Sequence, residues 1–287
     1  MSIFVWINSE REILNLLPWS RWLASELNQR LIMLCYGGAY GPPSITEVNK
    51  SINHEDLLLK ACCKNTLSSE RVLRVRGKEC LEILRCEEFD SGDLSKSYLL
   101  CGRRGLSSLS DCHNNILLTI EKLKLNWTIV KSSRGLPEQT KLRILVPTSG
   151  GEESNQAFDL LRQLDEKHGI ALLNVPDDES VESYDKGHDL LESIALKRGL
   201  EERNPKLVVR SSNSVQKALL EEIQVGYHLV IIGSSNSRFV EKVLHHNLDD
   251  DLLLHSQNNA IFILYACLLY TSPSPRDQRG SRMPSSA

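Results

Sequence analysis

The sequence predicts an α/β protein built from two similar halves, and three observations support this prediction. Short apolar or β-branched segments alternate with amphipathic stretches of about ten to fifteen residues, the pattern of parallel strands joined by helical crossovers. The same order of elements occurs twice along 287 residues, a length that suits two domains. Residues 1–140 carry a net charge of +2 and residues 141–266 a net charge of −7. We therefore expect two tandem three-layer α/β/α domains, each with a mainly parallel five-stranded sheet.

The second half shows the alternation more clearly. Its first apolar run ends in the turn residues TSGG, and Gly169 is expected to end the helix that follows. The continuous apolar run at 228–232 is typical of a strand that is buried on both faces. The predicted strands are 142–147, 170–175, 207–210, 228–232 and 260–265, and the predicted helices are 154–167, 185–198, 215–224 and 240–254.

The first half repeats this order element by element. Pro18 lies inside its first helical stretch and is expected to kink that helix or to displace its start. The predicted strands are 3–7, 31–36, 71–75, 98–101 and 127–130, and the predicted helices are 10–30, 54–64, 79–84 and 116–123. We accordingly place a first domain at 1–131, a linker at 132–140 and a second domain at 141–266.

The last segment, residues 267–287, does not follow the pattern. It is rich in Ser, Pro and Arg, has no hydrophobic periodicity, and resembles translated adaptor sequence. We expect it to be a non-native tail and leave it out of the fold.

Composition and charge exclude several classes of protein. A net charge of −3 gives no basic field for nucleic acid. The longest apolar run, 260–270, has eleven residues, whereas a membrane-spanning helix needs about 20. The eight cysteines contain no C-x-x-C pair and no signal peptide precedes them, so we expect reduced thiols in a cytoplasmic protein.

The histidines give no convincing metal site. The His and Asp residues between 245 and 255 are expected to form the solvated face of a helix, because charged runs on outer helix faces are usually hydrated. His168 and His188 are isolated in the sequence and are expected to be surface residues.

A glycine pair follows the fourth predicted strand of the first half. The turn consists of Gly102, Arg103, Arg104 and Gly105, and such turns suit anion binding through backbone amides. With this turn and the repeated element order, the sequence resembles the universal stress protein family, as two tandem domains, over about residues 3–265. The resemblance implies an adenine nucleotide alpha hydrolase-like fold. In some members it also implies ATP binding through an acidic residue after strand one and the motif G-x2-G-x9-G-[S/T] after strand four.

Both halves depart from this nucleotide motif. In the first half, Asn8 stands at the acidic position and Asn115 stands where the third glycine is expected. In the second half Gly233 is retained, but Thr148 or Ser149 replaces the acidic residue. Because a side chain in place of glycine obstructs the approach of phosphate, the resemblance implies a weak ATP site in the first half and a vestigial site in the second. The residues of the first are Asn8, Gly102, Arg103, Arg104, Gly105 and Asn115, and those of the second are Ser149, Gly150, Gly151 and Gly233.

A second short motif lies at residues 149–154, where SGGEES resembles the pyrophosphate loop S-G-G-x-D-S of the ATP-pyrophosphatase enzymes. Glu153 replaces the aspartate, and Glu152 adds a negative charge that would repel a polyanion. A helix start with acidic residues in its first turn explains this segment better.

These observations favour a non-enzymatic stress-response or regulatory protein of the universal stress protein type, with no catalytic residues and no cofactor other than weakly bound ATP. The family resemblance implies pairing through the fifth strands, within the chain or in a homodimer. Tandem domains of this family also form the cytosolic C-terminal part of membrane transporters, so one alternative is such a regulatory region, with Met1 an internal methionine. A second alternative is an ATP-pyrophosphatase-like enzyme that uses SGGEES.

Overall fold

The computed structural model describes about half of the chain. The described residues are 2–7, 10–36, 63, 70–75, 97–101, 126–132, 136, 141–151, 154–176, 178, 180–212, 215–234 and 260–265. The helices expected at 79–84, 116–123 and 240–254 and the tail at 267–287 lie outside these residues, as does the helix expected at 54–64 apart from Cys63.

The strands and helices follow one another in the predicted alternation. The first half, which we define as residues 1–132, contains β1 (Ser2–Ile7), α1 (Glu10–Glu26), β2 (Arg30–Tyr36), β3 (Arg71–Val75), β4 (Tyr98–Cys101) and β5 (Asn126–Ser132). The second half, residues 141–265, contains β6 (Arg143–Pro147), α2 (Asn155–Gln163), β7 (Gly169–Asn174), α3 (Val181–Lys197), a 3₁₀ turn (Glu201–Arg203), β8 (Lys206–Val209), α4 (Val215–Ile223), β9 (Leu229–Ser234) and β10 (Ala260–Tyr265).

The strands of both halves join in one sheet. Its order is β3-β2-β1-β4-β5-β10-β9-β6-β7-β8. Within each half neighbouring strands are parallel, and the two halves meet where β5 and β10 pair antiparallel, with Val130 opposite Phe262. The α/β class and the parallel pairing are therefore confirmed, while the division into two domains stays a prediction.

One hydrophobic core extends through both halves. It includes the apolar faces of β1, β2, β4, β6 and β7 together with those of α1, α2 and α3. Two tryptophans of α1 reach across to the second half, because the rings of Trp19 and Trp22 lie edge-on to Phe262 of β10, with centroids 5.8 and 6.3 Å away. We call this region of contact between the halves the seam.

The end of α1 and the start of α3 differ from the expected positions. α1 continues through Pro18 and ends at Glu26, four residues before the expected end at 30. α3 begins at Val181, four residues before the expected start at 185. The reason for the early start is Ser180, whose side-chain oxygen accepts the backbone N–H of Ser183 at 3.1 Å and so caps the helix.

The end of α2 also differs, and here the cause is distant in sequence. The helix ends at Gln163, so Gly169 opens β7 instead of ending the helix. The guanidinium of Arg203 donates to the carbonyl oxygens of Leu161 at 2.6 Å and Asp165 at 2.9 Å. An arginine from the following 3₁₀ turn thus satisfies carbonyls that lack helical partners, and α2 can end early.

Candidate functional site

The residues predicted for the second-half site lie at the carboxyl edge of the sheet. Thr148 directly follows β6, Asn174 ends β7, and Gly233 lies near the end of β9, the other neighbour of β6. Since Leu145 pairs with Val230, Thr148 and Gly233 are equally far along their strands. The edge at which open parallel sheets bind ligands therefore carries Ser149, Gly150 and Gly151 beside Gly233.

The loop from Thr148 to Ser154 is closed by its own hydrogen bonds. The hydroxyl oxygen of Thr148 accepts the backbone N–H of Gly150 at 3.0 Å and lies 2.9 Å from the hydroxyl of Ser154, to which it donates. The backbone N–H of Ser154 donates to the carbonyl of Gly151 at 3.2 Å. Thr148 and Ser154 are both buried, so their polar groups stabilise the loop from within.

Asn174 attaches this loop to the neighbouring strand. Its side-chain amide donates to the carbonyl oxygen of Thr148 at 3.0 Å, and the backbone N–H of Thr148 donates to Leu173 at 2.8 Å. Asn174 is buried as well. Thr148, one of the two residues predicted for the acidic position, thus uses its polar atoms to hold the loop on the sheet.

The backbone conformation at position 150 explains why this residue is glycine. Its φ is +83°, a value that side-chain-bearing residues rarely adopt. A Cβ at this position would also lie 2.9 Å from Cδ1 of Leu190 on α3. The loop therefore needs glycine at 150 for its turn and for its contact with α3, whether or not it binds an anion.

The start of α2 differs from the expected helix cap. The helix begins at Asn155 and has no acidic residue in its first turn, so Glu152 and Glu153 precede it in sequence. Ser154 has α-helical backbone angles and its side chain caps no backbone N–H, because its hydroxyl contacts Thr148 instead. The explanation of SGGEES as an acid-rich first turn is wrong.

The first-half site cannot be described in the same way. Its predicted residues are Asn8, Gly102, Arg103, Arg104, Gly105 and Asn115, and all of them lie outside the described residues. The described ends of β1 and β4, which precede them, are neighbours in the sheet, with Trp6 paired to Cys101. The weak nucleotide site predicted there stays a prediction.

A buried charged group that the sequence did not indicate lies between β8 and α4. The carboxylate of Glu222 is 1% exposed and accepts from Arg210 at 2.6 and 2.7 Å. It also accepts from the hydroxyl of Tyr227 at 2.8 Å. Burial and this bond to a carboxylate raise the pKa of Tyr227. The three side chains satisfy one another and hold α4 on the sheet.

His168 was expected at the surface, and this expectation is wrong. Its side chain is fully buried in the seam, where its Nε2 lies 3.2 Å from a carboxylate oxygen of Glu26. The two residues are far apart in sequence and share no motif, so only tertiary structure brings them together. His188 lies at the surface, as expected, with 43% of its side chain exposed.

Among the described residues, one group has the spacing of metal ligands. It consists of His188, Asp189 and Glu192 on α3. His188 is partly buried, Glu192 is exposed, and their side chains lie 3.5 Å apart, one helical turn from each other. This arrangement is that of an ordinary surface pair on a helix.

Comparison with known proteins finds a family similarity in the second half of the chain. Residues 142–261 match the universal stress protein family. No curated protein has significant sequence similarity to the chain. Over the described part of the chain, no helix has the length and apolar character that a membrane span requires.

Two solved structures resemble the whole chain in fold. A universal stress protein from Archaeoglobus fulgidus DSM 4304 is 13% identical, with a TM-score of 0.58, over 92% of this chain and 96% of that one. The cytoplasmic domain of a prokaryotic cation chloride cotransporter is 9% identical, with a TM-score of 0.52, over 93% of this chain and 95% of that one. At these identities the likeness concerns the fold alone.

Proposed function

We propose that this chain, which carries a universal stress protein family domain at residues 142–261, is a regulatory protein that binds partners and does not turn over a substrate. The fold likeness to a universal stress protein over 92% of the chain supports a similar architecture in the first half. On this proposal both halves are domains of this type, each with five strands, and β5 pairs with β10 as two such domains would pair in a dimer.

The observation that carries the proposal is the closed loop after β6. Thr148, Ser154 and Asn174 use their side chains to bond the loop to itself and to β7. The conformation of Gly150 follows from its turn and its contact with Leu190. The features that made SGGEES look like a phosphate loop thus have a structural role, which favours a module that has lost nucleotide chemistry in its second half.

Calorimetric titration of Mg²⁺-ATP into the full chain tests the nucleotide part of the proposal. We expect no binding heat, or weak binding that is lost when Gly102 and Gly105 are both replaced by valine. Submicromolar binding that survives this double substitution would contradict it. A phosphate-release assay on the same sample tests the ATP-pyrophosphatase alternative, which requires turnover that is abolished by Gly151→Val.

The pairing part of the proposal has its own test. If β5 and β10 pair within one chain, neither strand is left as an open edge for a second copy. Light scattering after size exclusion should then give the mass of a monomer, 32.4 kDa. A stable dimer would favour the other expectation from the sequence, a homodimer formed through the fifth strands.

A second candidate function is that of a regulatory region attached to a membrane transporter. The observation in its favour is the fold likeness to the cytoplasmic domain of a cotransporter, which covers nearly all of both chains. The reading frame upstream of the Met1 codon distinguishes the candidates. An in-frame stop codon would contradict the transporter candidate, and a continuous frame encoding membrane spans would support it.

We place this function in the cytoplasm. The support is that the eight cysteines contain no C-x-x-C pair and that Cys63, within the described residues, is an exposed free thiol. Free thiols are typical of reducing compartments.

A further inference from the structure

We propose that the seam between the two halves is held by a pH-sensitive clasp, consisting of Glu26, Asp165, Lys167 and His168, which loosens when His168 is protonated. The inference rests on the geometry of these four residues and does not depend on the proposed function. Glu26 is the last residue of α1 in the first half, and the other three lie between α2 and β7 in the second.

Glu26 is the centre of the clasp. Its side chain is 8% exposed, and its Oε1 accepts from the ammonium of Lys167 at 2.9 Å. Its Oε2 accepts the backbone N–H of Asp165 at 3.2 Å and lies 3.2 Å from Nε2 of His168. A carboxylate from one half is therefore surrounded by donors from the other half, which is the arrangement that stabilises a buried charge.

The hydrogen bonds of His168 require its neutral form. Its Nδ1 accepts the backbone N–H of Leu142 at 3.1 Å, so this nitrogen carries no proton and Nε2 carries the proton that faces Glu26. The Nε2–H points off the line to the carboxylate oxygen and makes an electrostatic contact with it instead of a good hydrogen bond. The indole of Trp22 packs edge-on to the ring, with centroids 5.8 Å apart.

Protonation of His168 would set an Nδ1–H donor against the backbone N–H donor of Leu142. An imidazolium has N–H groups at both nitrogens, so the Leu142 N–H would lose its acceptor and the ring would have to turn in a site with no exposed side-chain surface. A buried donor without an acceptor is costly. The ring cannot turn without disturbing Trp22, the residue that also contacts Phe262 across the seam.

The charges around His168 act in both directions. Glu26 from α1 and Asp165 from its own loop favour the imidazolium, whereas burial and the ammonium of Lys167 oppose it. Arg203, the cation of the adjoining 3₁₀ turn, is engaged with the carbonyl of Asp165. Burial dominates, and the pKa of His168 is lowered.

The direction of the pH effect follows from this balance. The pKa of His168 is lower in the folded state than the ordinary histidine pKa of about 6.5. Its contribution to stability is therefore fully present above about pH 6.5 and is lost as the pH falls from about 6.5 through the lowered pKa of the folded state. Burial alone would raise the pKa of Glu26, but hydrogen bonds from Lys167 and Asp165 lower it overall. Its contribution is therefore also lost on acidification, at lower pH than that of His168.

Hydrogen exchange of the full chain tests the clasp. We expect the protection of amides in residues 16–27 and 160–170 to fall about threefold or more between pH 7.5 and 5.5, after correction for intrinsic exchange rates. In His168→Asn, the amide oxygen can still accept the Leu142 N–H but does not titrate, so the fall should disappear. Unchanged protection in the wild type, or the same fall in this variant, would overturn the proposal.

A matched control is available in the same half. Nδ1 of His228 also accepts a backbone N–H, from Arg143 at 3.0 Å, and burial lowers the pKa of His228 too. His228→Asn should leave the acid-induced loss of protection at the seam unchanged, because His228 is not among the clasp residues.

A measurement on the wild-type chain tests the protonation of His168 without relying on a variant that could fail to fold. ¹⁵N chemical shifts of the imidazole nitrogens should show His168 as the Nε2–H tautomer at pH 7.5, with a titration midpoint below the ordinary histidine value of about 6.5. An imidazolium at His168 at neutral pH, or the Nδ1–H tautomer, would overturn the proposal directly.

Discussion

Gly150 shows at the scale of one residue how a motif can be explained without a ligand. Its φ of +83° strongly favours glycine, and a Cβ there would also lie 2.9 Å from Cδ1 of Leu190, so that this methyl group would have to shift. We expect Gly150→Ala to lower the free energy of unfolding by about 1–3 kcal/mol. Urea denaturation followed by circular dichroism measures this loss.

The control for this substitution is Gly169→Ala. Gly169 begins β7, its φ is not positive, and nothing lies within 4 Å of an added Cβ. We expect a change within about 0.5 kcal/mol. Equal effects of the two substitutions would show that the loop does not depend on the conformation of Gly150.

Glu222 gives a second residue-scale prediction. Arg210→Met leaves its carboxylate, 1% exposed, without its cationic partner, and we expect a loss of about 2–4 kcal/mol at pH 7. Urea denaturation at pH 7, followed by circular dichroism, measures this loss.

Lys186→Met is the matched control for this pair. Lys186 also binds a carboxylate, that of Glu182 at 2.6 Å, but both side chains are more than 70% exposed. Exposed pairs of this kind contribute little, so the urea midpoint should not move. A comparable loss in both variants would contradict the importance of burial at Glu222.

At this scale the sequence predicted some residues and missed others for a definite reason. The turn at Gly150 and Gly151 was predicted because a turn after a strand is a local signal. Glu26 and His168 were missed because their contact joins positions 142 residues apart in sequence. Periodicity describes which face of an element a residue occupies, but it gives no information about which distant element packs on that face.

At the scale of elements, the contact of α3 with the sheet depends on Gly187. A Cβ there would lie 2.9 Å from Oδ1 of Asn174 and 3.1 Å from Cγ1 of Val209. Asn174 cannot move freely, because its amide holds Thr148. We expect Gly187→Ala to destabilise the chain by about 1–2 kcal/mol, despite the better helix propensity of alanine.

Chemical denaturation with Lys186→Ala as control measures this effect. Lys186 precedes Gly187 on α3, but its side chain is 72% exposed, so this substitution introduces alanine into the same helix without a packing contact and removes only an exposed ion pair of little weight. If Gly187→Ala stabilised the chain as much as Lys186→Ala, the close approach of α3 to the sheet would be refuted.

The bounds of the strands were predicted more accurately than the ends of the helices, and local sequence signals explain the difference. Strands were predicted to within about two residues, because a buried parallel strand is a short apolar run bounded by turn residues. Helix ends were less accurate. α2 ends where the guanidinium of Arg203 donates to carbonyl oxygens at and just after the end of the helix. The sequence of the helix itself does not indicate that an arginine about 40 residues later will bind there.

At the scale of the whole molecule, the sheet and core are continuous across the seam. β5 pairs with β10, and the hydrophobic cluster includes residues of both halves. The sequence predicted the repeated units, but the strand order is set by tertiary pairing. We expect the halves to unfold as one cooperative unit, as single domains do, and not in two steps.

The distribution of tryptophan makes this expectation testable with one pair of variants. All four tryptophans, at positions 6, 19, 22 and 127, lie in the first half. Because Trp19 and Trp22 also contact Phe262, tryptophan fluorescence reports on the first half and on the seam. Leu172 is fully buried in β7 of the second half, and Leu172→Ala should cost about 2–5 kcal/mol. If unfolding is cooperative, this substitution must lower the urea midpoint of tryptophan fluorescence as much as that of circular dichroism.

The control is Leu196→Ala, on the exposed face of α3, which should move neither midpoint. A fluorescence midpoint that stays fixed while the dichroism splits into two transitions would mean that the halves fold separately and that the seam couples them only weakly.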